Sequence, residues 1–195
     1  MKILQVGLKQ AFIILIVLLV PAIIIEGLDH YNLFDARYHR GAIASGEWWR
    51  LLTGHLDHLN WTHLLMNGLC LALLLALFRP LGKPSRTLFL WLIASLLISL
   101  MMWFFSPEIK WYVGLSGSLY ALVVYAIATD TSYPMIFRIV ALVLTALKVG
   151  TEQVNGDISF MTDFISGPVA VDSHFYGVIA GALFVVVNRL LRRFL

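Results

Sequence analysis

The sequence predicts an all-α integral membrane protein, with six transmembrane helices packed into a single domain. Of the 195 residues, 60% are hydrophobic and only 13% are charged, whereas a soluble domain is usually about one quarter charged. The chain therefore has too few polar side chains to cover a water-exposed surface, and one membrane domain accounts for its whole length. Six apolar segments, and the way cations are placed between them, support the same fold class.

Each of these segments approaches the roughly 20 residues that a helix needs to cross a bilayer. We expect spans over residues 11–25, 61–78, 88–105, 114–129, 134–147 and 169–187. The first apolar run passes Pro21 and reaches Ile25 with no Ala-x-Ala site after it, which favours an uncleaved span over a signal peptide. The short segments can cross if other helices surround them or if the bilayer is locally thinned.

The cations predict the orientation of the chain. They lie before the first span, between the second and third, near the connection of the fourth and fifth, and near the end of the sixth. These cations are Lys2, Lys9, Arg79, Lys83, Arg86, Arg138, Arg189, Arg192 and Arg193. With six spans these positions share one side, and cationic loops remain in the cytoplasm. We therefore expect both termini inside the cell. The first loop also carries cations, but its five acidic residues weaken the preference for the cytoplasm that these cations would give it.

The same pattern excludes several functions. Because the cations lie between apolar runs and form no patch, we expect no nucleic-acid partner. Cys70 is the single cysteine, which excludes an internal disulfide and a thiolate metal site. We expect no metal and no cofactor.

Two loops stand out. The first, residues 26–60, contains Gly46-Glu47-Trp48-Trp49-Arg50, a pattern typical of a membrane-surface anchor because tryptophan and a cation both favour headgroup depth. The fifth loop, residues 150–168, is polar and carries glycines. We interpret it as a cap over an external cavity.

Polar residues within the apolar spans are candidates for function, because burying them in lipid is costly. In the second span, His63 and Asn67 are four residues apart and share one helical face. The alternative is a pair of hydrogen bonds between helices, worth on the order of 1 kcal/mol.

The fourth span opens with Gly114-Leu115-Ser116-Gly117, and Tyr120 follows one turn later on the Ser116 face. The glycines would let a substrate backbone approach Ser116. The first amides of a helix have no internal partner, so they can donate to a developing oxyanion. The alternative is a small-residue patch for close helix packing.

In the sixth span, Ala170, His174, Gly177 and Gly181 fall on one stripe at about 100° per residue. The glycines favour close packing against a neighbouring helix, and His174 would face that helix. The alternative is a buried histidine whose hydrogen bonds are satisfied.

Together these residues predict an acyl-transfer site, which needs a nucleophile, a base and oxyanion donors. Neutral His174 can accept the proton of Ser116, which is a poor nucleophile unaided. We expect no carboxylate in a span at the depth of a third triad member, because Asp172 lies about 160° from His174 around the helix. We therefore predict a Ser–His dyad whose imidazole is oriented by packing, for example against Tyr120.

The ordered motifs resemble those of the rhomboid family of intramembrane serine proteases, and the resemblance runs from about Glu47 to Gly181. Each motif is weak alone, but the ordered set is specific. The motifs are Glu47-x-Trp49-Arg50, His58 followed by His63-x-x-x-Asn67, Gly114-x-Ser116-Gly117 with Tyr120, and Ala170-x-x-x-His174-x-x-Gly177-x-x-x-Gly181.

The resemblance implies a role for each residue. Ser116 would be the nucleophile and His174 the base. An oxyanion hole would be formed by His63, Asn67 and the Ser116 amide. Tyr120 would stack on His174, while Gly177 and Gly181 would pack the sixth helix against the fourth. The implied fold is a six-helix rhomboid bundle with a water-filled cavity open to the outside, and the implied partners are membrane lipids and single-span membrane protein substrates that pass the fifth helix.

The compact form and the run from His58 to Asn67 resemble the rhombosortase subgroup of Gram-negative bacteria. That resemblance implies a place in the inner membrane, with the site opening to the periplasm. It also implies substrates with a C-terminal Gly-Gly motif, an apolar span and a basic tail, which is removed. Either water or an amine, such as a lipid headgroup, would resolve the acyl-enzyme.

Three alternatives stay open at this point. One is a general rhomboid protease that acts on other single-span proteins. Another is a catalytically inactive rhomboid-like module that binds membrane partners. The last is a small transporter with a polar path through His63, Asn67 and His174, for which broken helices and paired repeats would be expected.

Overall fold

A computed structural model of the protein describes residues 7–156, 164–165 and 167–194. Its helices are α1 (Leu8–His30), α2 (Arg40–Ala44), α3 (Arg50–Thr53), α4 (Trp61–Leu77), α5 (Pro84–Phe105), α6 (Ser116–Thr129), α7 (Met135–Asn155) and α8 (Val171–Phe194). A 3₁₀ turn, Arg79–Gly82, joins α4 to α5. Two short strands, β1 (Tyr38–His39) and β2 (Trp111–Tyr112), pair antiparallel.

The composition of the helices confirms an all-α membrane protein. Within the described residues, three helices are long and apolar enough to cross a bilayer, namely α1, α5 and residues 171–191 of α8, with mean hydropathies of 2.9, 2.4 and 1.6. The helices α4 and α6 are also apolar but shorter. Large apolar side chains face outward, as on α4, where Leu65, Leu69 and Leu73 form an exposed stripe at four-residue spacing. Such a stripe is stable against lipid and costly in water.

The end of helix α7 lies furthest from its expected position. We predicted a span over 134–147 followed by a loop, but the helix continues through Gly150 to Asn155. Glycine lowers helix propensity by only about 1 kcal/mol, and Glu152 is buried in the next turn, so tertiary contacts outweigh the local signal. Of the predicted cap, residues 157–163 and 166 lie outside the described residues.

His58 lies in the loop before α4. The side chain of Asn60 caps that helix by accepting a hydrogen bond from the His63 amide.

Helix α6 occupies the centre of the bundle. Nine of its 14 residues are buried, and it packs most extensively against α8. Glycines make this close approach possible, because a Cβ at Gly177 would lie 2.1 Å from the Gly117 carbonyl oxygen and one at Gly181 would lie 2.6 Å from that of Ala121. The glycine stripe identified in the sequence therefore lies at the contact between the two helices.

Gly177→Ala is expected to destabilise the bundle by about 1–3 kcal/mol or more, because the added methyl group meets backbone that cannot rotate away. The measurement is the thermal unfolding midpoint in detergent. Gly150→Ala is the matched control, since a Cβ there meets nothing within 4 Å and alanine favours the helix. Equal midpoints for the two variants would contradict the close α6–α8 contact.

The first loop is folded and holds the segment that leads into α6. The Gly114 amide donates to the Gly54 carbonyl at 2.9 Å, and the Tyr112 hydroxyl donates to the Gly114 carbonyl at 2.5 Å. Within the loop, Arg50 pairs with Glu47 at 2.6 Å and donates to the Arg37 carbonyl at 2.8 Å. The Glu47–Arg50 motif therefore fixes the backbone of this loop.

Candidate active site

Ser116 and His174 lie at the N-termini of two helices and are close together. Ser116 is the first residue of α6, and His174 lies in the first turn of α8. Because these helices are in close contact, the Ser116 Oγ and the His174 Nε2 lie 3.0 Å apart. His174 is 7% exposed. This is the distance at which a base can accept a proton from a hydroxyl nucleophile.

A carboxylate lies on the other side of the imidazole. The Glu152 Oε2 is 3.0 Å from the His174 Nδ1, and Lys148 forms an ion pair with the other carboxylate oxygen. We expected no carboxylate in a span at the depth of a third triad member, and this was wrong, because α7 extends to Asn155 and carries Glu152. The error came from the length of α7, since a helix ending at residue 147 would leave Glu152 in a loop. Lys148 and Glu152 are four residues apart, and this spacing of opposite charges favours a helix. The spacing could have indicated that α7 continues to Glu152.

Asp172 is excluded from this contact, as the helical geometry predicted. Its carboxylate accepts a hydrogen bond from the Ser106 hydroxyl, which also contacts the Tyr176 hydroxyl at 2.7 Å. The imidazole of His174 instead packs on Tyr120, with ring centroids 4.6 Å apart and a 41° angle between the planes. The structure therefore brings both a ring and a carboxylate to His174.

His63 and Asn67 lie beside the backbone that precedes Ser116. Gly114 has a φ of +117°, which disfavours other residues. A Cβ at Gly114 would lie 2.8 Å from the His63 Cε1 and 3.8 Å from the Asn67 Nδ2. Gly117 is similarly crowded by the Ser173 carbonyl oxygen at 2.9 Å. Small residues are thus required on both sides of Ser116.

His63 and Asn67 each have a side-chain hydrogen-bond donor. The Leu59 amide donates to the His63 Nδ1 at 3.4 Å, so in the neutral ring the proton lies on Nε2. The Asn67 Nδ2 is buried and has no hydrogen-bond partner in the part of the chain that the structure describes. Buried donors without a partner are rare in native proteins, and one reason for such a donor is a catalytic role.

His58 lies behind His63. Its Nδ1 donates to the Leu56 carbonyl at 3.1 Å, and its ring meets that of His63 edge-on, with centroids 5.0 Å apart. Burial, and secondly the neighbouring His63, lowers the pKa of His58 to about 3. His58 is therefore neutral at physiological pH and supports the His63 ring by packing.

A cavity of about 580 Å³ connects these groups. Its wall includes the six polar site residues His63, Asn67, Ser116, Tyr120, Glu152 and His174, and apolar side chains such as Met66, Trp111 and Val113. Cavities of this size hold ligands and short substrate segments. The arrangement can therefore present a hydroxyl, an imidazole and N–H donors to one bound carbonyl group.

The chain is similar to known proteins. The family model described as the Rhomboid domain matches residues 45–190. A protein of Bacillus subtilis (strain 168), named "Putative rhomboid protease YdcA", is 37% identical over 81 residues, which cover 41% of this chain and 40% of that relative. The chain thus matches less than half the length of this curated relative. Because the family model covers most of the chain, the protein belongs to the rhomboid family.

Proposed function

We propose that the protein is an intramembrane serine protease in which Ser116 is the nucleophile and His174 is the base. The observation that carries this proposal is the 3.0 Å contact between the Ser116 Oγ and the His174 Nε2. Membership of the rhomboid family supports it. The retention of both residues in hydrogen-bonding contact argues against an inactive binding module.

In the first step, the Ser116 Oγ bonds to the carbonyl carbon of the substrate while the His174 Nε2 takes its proton. The negative charge moves to the carbonyl oxygen, which in this proposal accepts hydrogen bonds from the His63 Nε2–H, the Asn67 Nδ2–H and the Ser116 amide. Donors held in place before the reaction stabilise such an oxyanion strongly. The imidazolium then protonates the leaving amine as the C–N bond breaks, which leaves an acyl group on Ser116.

The proposed substrates are single-span membrane proteins, and membrane lipids form the surroundings of the site. Three long apolar helices and two shorter ones support a multi-pass arrangement, and α7 would be the sixth span of the proposed bundle. The cation pattern supports cytoplasmic termini, with Ser116 and His174 towards the opposite, periplasmic face of a bacterial inner membrane. An external opening also supplies the water that hydrolysis needs.

The narrower proposal is a rhombosortase-type reaction. Here the substrate carries a C-terminal Gly-Gly motif, an apolar span and a basic tail, and the acyl-enzyme passes to water or to an amine such as a lipid headgroup. Its support is the run from His58 to Asn67, with Asn60 as the helix cap and His58 behind His63. A general rhomboid protease is the second candidate, favoured by the name of the matching relative.

The first test is covalent labelling by a fluorophosphonate in detergent, read by intact mass. We expect the wild type to gain one adduct and Ser116→Ala to gain none, because only an activated serine reacts. A folded wild type that stays unlabelled, or a Ser116→Ala variant that is labelled equally, would overturn the protease proposal.

The second test separates the two candidates in proteoliposomes. Two substrates share one apolar span and one basic tail, and differ only in a Gly-Gly or Val-Val pair before the span. The rhombosortase-type reaction predicts cleavage of the Gly-Gly substrate alone, and mass spectrometry of its new C-terminus distinguishes a free acid from an amide. Equal cleavage of both substrates would favour the general protease.

A further inference from the structure

We propose that Glu152 is a positioning residue of this site, which holds the imidazole of His174 in the tautomer and orientation that deprotonation of Ser116 requires. The inference rests on the proposed function. It replaces the expected dyad with a Ser116–His174–Glu152 relay, in which the carboxylate comes from α7 and the other two groups come from α6 and α8.

The hydrogen-bond chemistry assigns the tautomer. An ionised carboxylate has only acceptors, so the 3.0 Å contact with Glu152 places a proton on the His174 Nδ1. A neutral imidazole carries one N–H, so the Nε2 is left with its lone pair. That lone pair lies 3.0 Å from the Ser116 Oγ. The carboxylate thus selects the one neutral form in which Nε2 can act as a base.

Burial makes this contact effective. The side chains of Glu152 and His174 are only 4% and 8% exposed, so water competes little for either group. When His174 takes the serine proton, the new positive charge develops directly beside the carboxylate. The carboxylate therefore favours the charged form of the base that arises during the reaction.

The second carboxylate oxygen is also fixed. Lys148 pairs with Oε1 while Oε2 faces His174, so both oxygens have partners and the carboxylate is oriented from two sides. Among the described residues that contact the imidazole, Ser116 and Tyr120 supply a hydroxyl and a ring. Glu152 is the one anionic group that is hydrogen-bonded to His174 in the part of the chain that the structure describes.

A purely structural function for Glu152, as a link between α7 and α8, would give different results. A structural link affects stability and substrate affinity, whereas a positioning residue affects kcat and the protonation of the His174 ring. The test therefore needs both kinds of measurement. Glu152→Gln keeps a carbonyl acceptor for the Nδ1–H but removes the charge. Glu152→Leu removes both and retains much of the volume.

The experiment compares these variants with the wild type in detergent, by fluorophosphonate labelling of Ser116 and by kcat and KM for one membrane substrate. We expect Glu152→Leu to label and turn over about 10²-fold more slowly, the size of loss that a misplaced catalytic group produces. We expect an intermediate loss for Glu152→Gln and an unchanged KM for both. The control is Gln153→Ala, which removes an exposed side chain next to Glu152.

Nitrogen-15 NMR of histidine-labelled protein reads the tautomer directly, with the His174 signal identified by its absence from His174→Ala. The expected result is an Nδ1–H form in the wild type and in Glu152→Gln, and a mixed form in Glu152→Leu. A folded Glu152→Leu variant that labels as fast as the wild type would overturn the inference and leave the proposed function intact. A loss confined to KM or to the thermal midpoint would also overturn it, and a folded wild type that is never labelled would overturn both proposals.

Discussion

Ser116→Ala and His174→Ala are each expected to lower the rate constant of cleavage by about 10⁴- to 10⁶-fold, and the double variant is expected to lower it no further. The reason is that the two groups perform one step. Without the imidazole at 3.0 Å, the serine hydroxyl keeps its proton and is a weak nucleophile. Without the hydroxyl, the base has no proton to accept. Once either residue is replaced, replacing the other therefore causes no further loss of activity.

The measurement is single-turnover cleavage of a membrane substrate in proteoliposomes, with folding checked by thermal unfolding. Ser118→Ala is the matched control, because Ser118 lies in the same first turn of α6 and its hydroxyl donates to the Leu115 carbonyl at 2.8 Å. We expect this control to retain activity within a few-fold. Additive losses in the double variant would show that Ser116 and His174 act independently, and would contradict the proposed mechanism.

The sequence predicts the membrane fold class and the pairing of Ser116 with His174 for a common physical reason. Polar side chains are so costly within apolar spans that a serine, two histidines and an asparagine stand out there. The glycine stripe on α8 then indicates which helix lies against α6. Such signals are local in the sequence, and the periodicity of a helix tells which of these residues share a face.

The position of Glu152 beside His174 could not be predicted in this way. Its place beside His174 depends on the length of α7 beyond Gly150, and on how far α7 is shifted along its axis relative to α8. Neither quantity follows from hydropathy, because the last turns of α7 are polar and resemble a loop. The positive φ of Gly114 could not be predicted from the sequence either, because its amide is held by the carbonyl of Gly54, which lies 60 residues earlier in the chain.

Replacing Asn67 is expected to lower kcat by about 10²- to 10³-fold, the loss typical of one oxyanion donor, without destabilising the protein. The Asn67 Nδ2 lies at the cavity wall and has no hydrogen-bond partner among the described residues. Asn67→Leu therefore removes the donor without breaking a hydrogen bond of this nitrogen to the described part of the chain. We expect its thermal midpoint to stay close to that of the wild type, and KM to stay the same, because the oxyanion exists only in the transition state.

His63→Leu provides the comparison, since it removes the second proposed donor but also the ring that packs on His58. We expect a similar loss of kcat together with a lower thermal midpoint. The difference between the two stability changes separates catalysis from packing, because replacing a residue that serves packing alone lowers the stability of the protein. If Asn67→Leu lowered the midpoint and left kcat unchanged, Asn67 would be a packing residue, and the donors to the oxyanion would be His63 and the Ser116 amide alone.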